Sequence, residues 1–298
     1  MKNIFNIIKK SIIPILGVLM ITSCGDEHDF TPYESSEGVA NAANVKLIHA
    51  AVGPNGTNFQ VNYFLDSKKI NGINITTGSP VGMSFGAQYP IPINYALVKS
   101  GTQTLSIQTP AVPAVSVYEG NLTTEAGKFY TNFLVATPPS VTPAVYSTYQ
   151  INDDLSVADL DNTKAYIRFI NVISNTPVAG YDLGLIKETS VAGAIGSSIV
   201  TKEVYTYKNV TFKGGDEKFI AIEAQESADT RGYQIQLRTA GAAANIPGAT
   251  VIARQANSGT GVFIPRAGRV YTIYCRGIAG GLPNATSNVP TIGWYTNK

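Results

Sequence analysis

The chain is written twice. "VKLIHAAVGPNG" from Val45 returns as "IRFINVISNTP" from Ile167, and "YALVKSGTQTLSI" from Tyr95 has a counterpart in "YKNVTFKGGDEKFIAI" from Tyr207. "AGKFYTNFLV" from Ala126 is echoed by "AGRVYTIYCR" from Ala267, and "VYSTYQIND" from Val145 by "IGWYTNK" at the C-terminus. Four recurrences in one order imply two units built to one plan, residues 45–152 and 165–298, joined by a polar linker at 153–164. Within each unit the segments are short, rich in Val, Ile, Tyr, Phe and Thr, and punctuated by Gly, Pro, Asn and Asp. Such segments form strands, and no mature stretch keeps a helical period over three turns. The expected fold is therefore all-β: two tandem antiparallel β-sandwich domains of immunoglobulin-like type, following an N-terminal signal peptide.

That signal peptide is read from residues 1–23. Lys2, Lys9 and Lys10 precede the apolar run "SIIPILGVLM" from Ser11, which is too short to span a bilayer as a helix. Ile21, Thr22 and Ser23 then lead into Cys24. This resembles the lipobox of bacterial lipoproteins, which makes Cys24 the lipidation site and the first residue after cleavage. Several acyl chains, at about 0.8 kcal/mol per buried methylene, hold a protein stably at a membrane. Residues 24–44 read as the lipidated cysteine and a flexible tether. Asp26, Glu27 and Asp29, just after the cysteine, fit two readings equally: an acidic export tag for the outer leaflet, or a plain solvated spacer. The expected location is the outer membrane, by lipid anchor, at the cell surface or otherwise on the periplasmic face.

Charge and composition narrow the function. Of the 22 basic residues three lie upstream of Cys24 and none of the 20 acids do, leaving 19 against 20 in the mature chain. A net charge near −1 offers no clustered positive surface, so nucleic acid is not an expected partner. With Cys24 consumed, Cys275 is the one cysteine left and no intramolecular disulfide can form. Alternation in "VYTIYCRG" puts Tyr271, Ile273 and Cys275 on one strand face, which reads as a core position. His28 falls in the tether. His49 matches Asn171 in the second unit, so the position calls for a short polar group that bonds the adjoining turn. The acid pairs Asp153 with Asp154 and Asp216 with Glu217 lie in turn or linker sequence, where solvated acids are the default. No nucleophile elbow or phosphate loop is present, and "KGGDEK" from Lys213 reads as a hairpin turn. The expectation is no enzyme, no catalytic residues, no metal site and no cofactor.

The motifs "VKLIHA", "IRFINV" and the paired "AG(K/R)xYT" resemble a family built from a domain of unknown function, found, often in tandem, in lipidated or secreted bacterial proteins. That family has a vRfvHaspdap-like opening strand, a glycine-turned hairpin and a later aGxxYT strand. "VGPNG" and "VISNTP" depart from its acidic turn. The resemblance implies a structural or surface-binding protein and supplies no catalytic residues. The expected function is a membrane-anchored envelope lipoprotein with a non-enzymatic binding or adhesion role, its ligand a polysaccharide, matrix or another envelope protein. The alternatives are a structural subunit of a fimbrial or nutrient-uptake assembly and, less favoured, an accessory glycan-degrading enzyme. Extra material in the second unit, from "ESADTRGYQIQLRT" to "ATVIARQ", suggests a specificity segment with Tyr233, Arg238 and Arg254 as contacts. A hairpin that covers a sheet edge is the competing reading.

Overall fold

Two parallel strand pairs at the centre of the molecule explain why its opening motifs are so evenly apolar. The computed structural model describes residues 41–72, 81–90, 93–138, 140–141, 143–192, 197–215, 218–225, 232–242, 251–255, 263–279 and 288–298. Cys24, His28, Asp216, Glu217 and the signal segment lie outside the described residues. In the first half the strands are β1 (Ala42–His49), β2 (Gln60–Leu65), β3 (Lys68–Lys69), β4 (Met83–Ser84), β5 (Gln88–Tyr89), β6 (Ala96–Lys99), β7 (Gly101–Gln108), β8 (Ser116–Thr124), β9 (Phe129–Ala136) and β10 (Tyr146–Asn152). The second half holds β11 (Lys164–Asn171), β12 (Tyr181–Ala192), β13 (Ser197–Val210), β14 (Gly214–Gly215), β15 (Ile220–Glu223), β16 (Tyr233–Thr239), β17 (Val251–Gln255), β18 (Val270–Arg276) and β19 (Thr291–Thr296).

Each half is a sandwich of an inner and an outer sheet. The first inner sheet runs β10-β9-β1-β5, with β6 also on β1; the second includes β14-β11-β18-β19, with β15 also on β11. The outer sheets run β3-β2-β7-β8 and β13-β12-β16-β17. Most neighbours are antiparallel, but β1 lies parallel to β9 and β11 parallel to β18. The opening and "AGxxYT" motifs are thus hydrogen-bonded partners in both halves.

Apolar packing follows the strand alternation on both faces. Val45, Leu47, Leu134 and Ala136 turn inward to a core shared with Tyr63, Leu105 and Leu122. Ile167, Phe169, Ile273 and Cys275 do the same in a second core with Leu183, Tyr233 and Leu237. The intervening residues are not in water: Ile48, Phe133 and Val135 of the first half meet Ile170, Val172, Tyr274 and Tyr295 of the second. The two inner sheets therefore pack against each other, giving four layers, and residues Asn41–Lys298 form one compact unit. Strands covered on both faces read as nearly continuous hydrophobic runs, as β9 and β11 do.

Three of the four sequence recurrences occupy corresponding places: β1 with β11, β9 with β18, β10 with β19. The second recurrence does not. Tyr207 lies in outer strand β13, whereas β6, which follows Tyr95, corresponds by its pairing to β15. The tether also ends sooner than expected, because Ala42 and Ala43 are already buried in β1. The segment read as a linker is packed: Leu155–Asp159 forms a 3-10 turn whose buried Ala158 joins Tyr166, Phe219 and Val270.

At one end of the seam Arg276 of β18 crosses to the first half, its guanidinium 5.6 Å from the Phe85 ring centroid. Gly86 permits this approach, for it holds φ +82° and a Cβ there would come within 2.7 Å of the Arg276 Nε. Phe133 is fully buried between the halves, its ring 5.7 Å from Tyr274 and 6.3 Å from Tyr149. Phe133→Ala should cost about 3–5 kcal/mol in urea unfolding, since the four-layer body cannot collapse onto the gap.

Candidate functional site

The seam is apolar at its middle and polar toward the end where the chain enters at Asn41. Arg168 of β11 is fully buried, although a lone arginine in a strand would ordinarily point to water. Its Nη2 pairs with Asp153 Oδ1, both side chains having no exposed surface. Nη1 donates to the Asn152 carbonyl at 2.9 Å, Nε donates to Thr272 Oγ1 at 3.0 Å, and the guanidinium lies 4.6 Å from the Phe219 ring centroid. Asp153 Oδ2 accepts from Thr131 Oγ1 and from Tyr95 OH, each at 2.7 Å. Tyr295 OH donates to Thr131 Oγ1 at 2.9 Å, and Asn297 Nδ2 donates to Tyr95 OH at 2.8 Å.

These residues are related by the duplication. Thr131 and Thr272 hold matched positions, and each donates to a residue just beyond the last inner strand, Asp153 in one half and Asn297 in the other at 2.9 Å. Lys46 matches Arg168. Facing a carboxamide half rather than a carboxylate, Lys46 instead donates to the Asn94 carbonyl at 2.7 Å and sits 4.8 Å and 5.4 Å from the Tyr95 and Tyr295 ring centroids. Burial pulls its pKa down to about 8, against a smaller opposing pull from Asp153. Burial is the largest influence on Arg168 and works against its charge, but Asp153, Tyr295 and Tyr95 together outweigh it and the Arg168 pKa is raised. Burial and the neighbouring Asp153 charge both push the Tyr95 hydroxyl well above the usual phenol range. Tyr295 is raised mainly by burial.

Outside this network an open depression of about 530 Å³ is lined by Asn44, Asn94, Tyr95, Phe129, Ser156 and Lys298, among others. Lys298 Nζ bonds Asp159 Oδ1 across it at 2.7 Å. It lies at the entry end of the body, with Tyr95 shared between its wall and the seam.

The acid pair Asp153 and Asp154 is taken up by packing and capping. Asp153 is buried in the seam, contrary to a solvated linker acid, and Asp154 accepts from Ser156 N at 3.1 Å to start the 3-10 turn. Among the described residues no group of three or more His, Cys, Asp or Glu could hold a metal ion. Cys275 is buried in the second core, and burial raises its thiol pKa, which leaves it a poor nucleophile.

The specificity segment proves to be structural where it is described. Tyr233 has no exposed surface and its hydroxyl donates to the Glu223 carbonyl at 2.9 Å. Arg238 is 1% exposed and pairs with Glu203, so neither side chain presents a surface contact. Their strand, β16, is a central strand of the outer sheet rather than an addition. Arg254 lies in β17 opposite Gln236. Sequence reasoning missed Lys46, Arg168, Thr131, Thr272, Asp153 and Asn297. The signal was their recurrence at matched positions, Lys46, Arg168, Thr131 and Thr272 inside apolar strands and Asp153 and Asn297 just beyond them.

No family model matches the chain, and no curated protein matches it. Solved structures give slight likenesses. The fimbrial anchor protein Mfa2 of Porphyromonas gingivalis is 9% identical with a TM-score of 0.25, covering 86% of this chain and 97% of that one. A candidate cell adhesion protein of Parabacteroides distasonis is 9% identical with a TM-score of 0.20, over 86% and 97%. A similar candidate from Bacteroides fragilis is 13% identical with a TM-score of 0.16, over 86% and 98%.

Two outcomes test the buried polar groups. Arg168→Met should destabilise the protein by about 3–5 kcal/mol at pH 7, by chemical denaturation, because Asp153 is left buried without its partner. Arg168→Met with Asp153→Asn should recover part of that loss. His49 is buried, and desolvation lowers its pKa to about 4, only partly opposed by its Nε2 contact with the Phe59 carbonyl at 3.1 Å. The unfolded chain, with histidine near 6.5, then binds the extra proton first. Stability from neutral His49 is complete above pH 6.5 and falls as pH drops toward 4, by about 3 kcal/mol. In His49→Asn, which copies Asn171, that part of the acid sensitivity should vanish from the pH dependence of unfolding.

Proposed function

We propose that this protein is a lipid-tethered component of a bacterial outer membrane that binds or adheres and does not catalyse. Cys24 behind a short apolar signal supplies the tether, and the recurrent opening and "AGxxYT" motifs support grouping the chain with the tandem lipoprotein family they resemble. The domain plan proposed is two copies of one sandwich, residues 45–152 and 165–298, locked through their inner sheets.

The observation that carries the reading is the polarity of the body along its strands. Asn41 enters beside Ser100, whose N–H donates to the Asn41 carbonyl at 2.9 Å, and Gly127 N donates to Ala42 O at 2.8 Å. Strands β7 to β10 run between this end and loops at the other. An eight-residue strand spans about 27 Å, so a chain held at Cys24 presents those far loops to its surroundings. One of the two acid pairs considered for a catalyst is meanwhile absorbed, Asp153 in the seam and Asp154 in a turn. A rigid body with its attachment at one end and loops at the other suits contact with an outside ligand, a polysaccharide, matrix or envelope protein.

The test is fatty-acid incorporation on the intact chain, with adhesion measured on the same cells. Cys24→Ala should lose an alkyne-palmitate label and the adhesion conferred by the wild-type chain. A label that survives the substitution overturns the tether, and release of soluble sugars from polysaccharide by the purified full chain overturns the non-enzymatic reading.

A further inference from the structure

The far end of the first sandwich carries two loops of the same build. Residues 109–115 read "TPAVPAV" and residues 137–145 read "TPPSVTPAV". Each is clasped at its base in one way. Thr109 N donates to Val115 O at 2.9 Å and Val115 N to Thr109 Oγ1 at 3.1 Å; Thr137 N donates to Val145 O at 2.8 Å and Val145 N to Thr137 Oγ1 at 3.0 Å. Above the clasps the side chains are exposed valines. Val112 is 99% exposed, Val115 59%, Val145 54% and Val141 43%. The two loops close hairpins of different sheets, β7-β8 and β9-β10, yet their bases touch, since Thr148 Oγ1 donates to Tyr118 OH at 3.4 Å.

We propose that these loops are a membrane-inserting tip that enters the neutral, apolar part of a lipid bilayer. Three observations favour lipid. Neither loop contains a charged residue, so the tip has nothing to offer a charged polymer, and neither has the amide or aromatic side chains that grip sugars. The loop backbone has lost part of its free donors: five prolines carry no N–H, and the N–H groups of Thr109, Val115, Thr137, Val141 and Val145 are bonded within the loops. Each donor that is absent or satisfied lowers the cost of entering hydrocarbon. Finally, Tyr118 and Tyr146 stand just behind the valines, half-buried, where the amphipathic rings of tyrosine favour the headgroup level. The inference rests on the proposed tether only for which membrane is met, an apposed one rather than the protein's own.

The experiment uses the full chain bearing Cys24→Ser, so that no acyl group contributes, and co-sedimentation with neutral phosphatidylcholine vesicles. Binding is expected, changing less than about twofold between low and high salt because no charge is involved. Val112→Asp with Val141→Asp should weaken it about tenfold or more with unchanged thermal unfolding, and Val112→Phe with Val141→Phe should strengthen it. Leu160→Asp, at a site 80% exposed beyond the 3-10 turn, should leave it unchanged. Absence of vesicle binding, or binding indifferent to both double substitutions, overturns the proposal. So does loss of cell adhesion in the aspartate variant without vesicle binding by the wild type, an outcome that makes the loops a protein contact. Failure of the tether appears separately, as a fatty-acid label that survives Cys24→Ala.

Discussion

A carboxylate without exposed surface, Asp153, ties the structure together. It ends the first half of the chain, takes the charge of Arg168 from the second, and accepts hydroxyls from Thr131 and Tyr95. A buried pair of this kind is weak evidence for stability as such, because removing two charges from water costs several kcal/mol per ion. Its strength lies in geometry. The observed position of the inner sheets brings the guanidinium against the carboxylate while Phe133 meets Tyr274 and Tyr295 meets Thr131. Apolar contact alone would tolerate several positions, and the polar end of the seam selects among them.

Duplication then explains the asymmetry of that seam. Matched positions hold Lys46 and Arg168, and Asp153 and Asn297, so two buried cations share one acid. Arg168 takes the acid through Nη2 and bonds the Asn152 carbonyl and Thr272 Oγ1 with its other two nitrogens, which suits its planar fork. Lys46 holds its proton through a carbonyl and two aromatic faces, a softer arrangement that leaves its pKa near 8. The same divergence gives His49 in one copy and Asn171 in the other. Asn171 bonds Ile173 N at 3.1 Å and Thr176 Oγ1 at 2.9 Å, fastening the turn after its strand, whereas His49 reaches the Phe59 carbonyl.

Much of the fold was legible because strand periodicity is local. The all-β character, the placing of Cys275 with Ile273 in a core, and the role of Asn171 follow from residues within a few positions of each other. What was not legible depends on partners far away in sequence. Alternation in "VYTIYCRG" separates two faces but cannot say that the second is also covered, and so Thr272 and Tyr274 pass for solvent positions. Lys46 and Arg168 mislead for the same reason, a charged residue in a strand being ordinarily a mark of exposure. Tyr233 and Arg238 were misjudged in the opposite sense: a stretch without an obvious counterpart looked like an addition, though β16 is the structural match of β7 in the other outer sheet. The recurrence of "YALVK" failed because the copies diverged most around β12 and β13, whose long hairpin shifted the sequence frame.

The Thr–Val clasps under the two proline-rich loops carry an implication for how such a protein can change over time. Each clasp closes its loop with a backbone bond and a hydroxyl bond, so the hairpin beneath keeps its register whatever the loop above contains. With both ends of each loop fixed in this way, loop length costs little in closure entropy. Selection can therefore rewrite the outermost surface, in length as well as in chemistry, while the four layers below stay fixed.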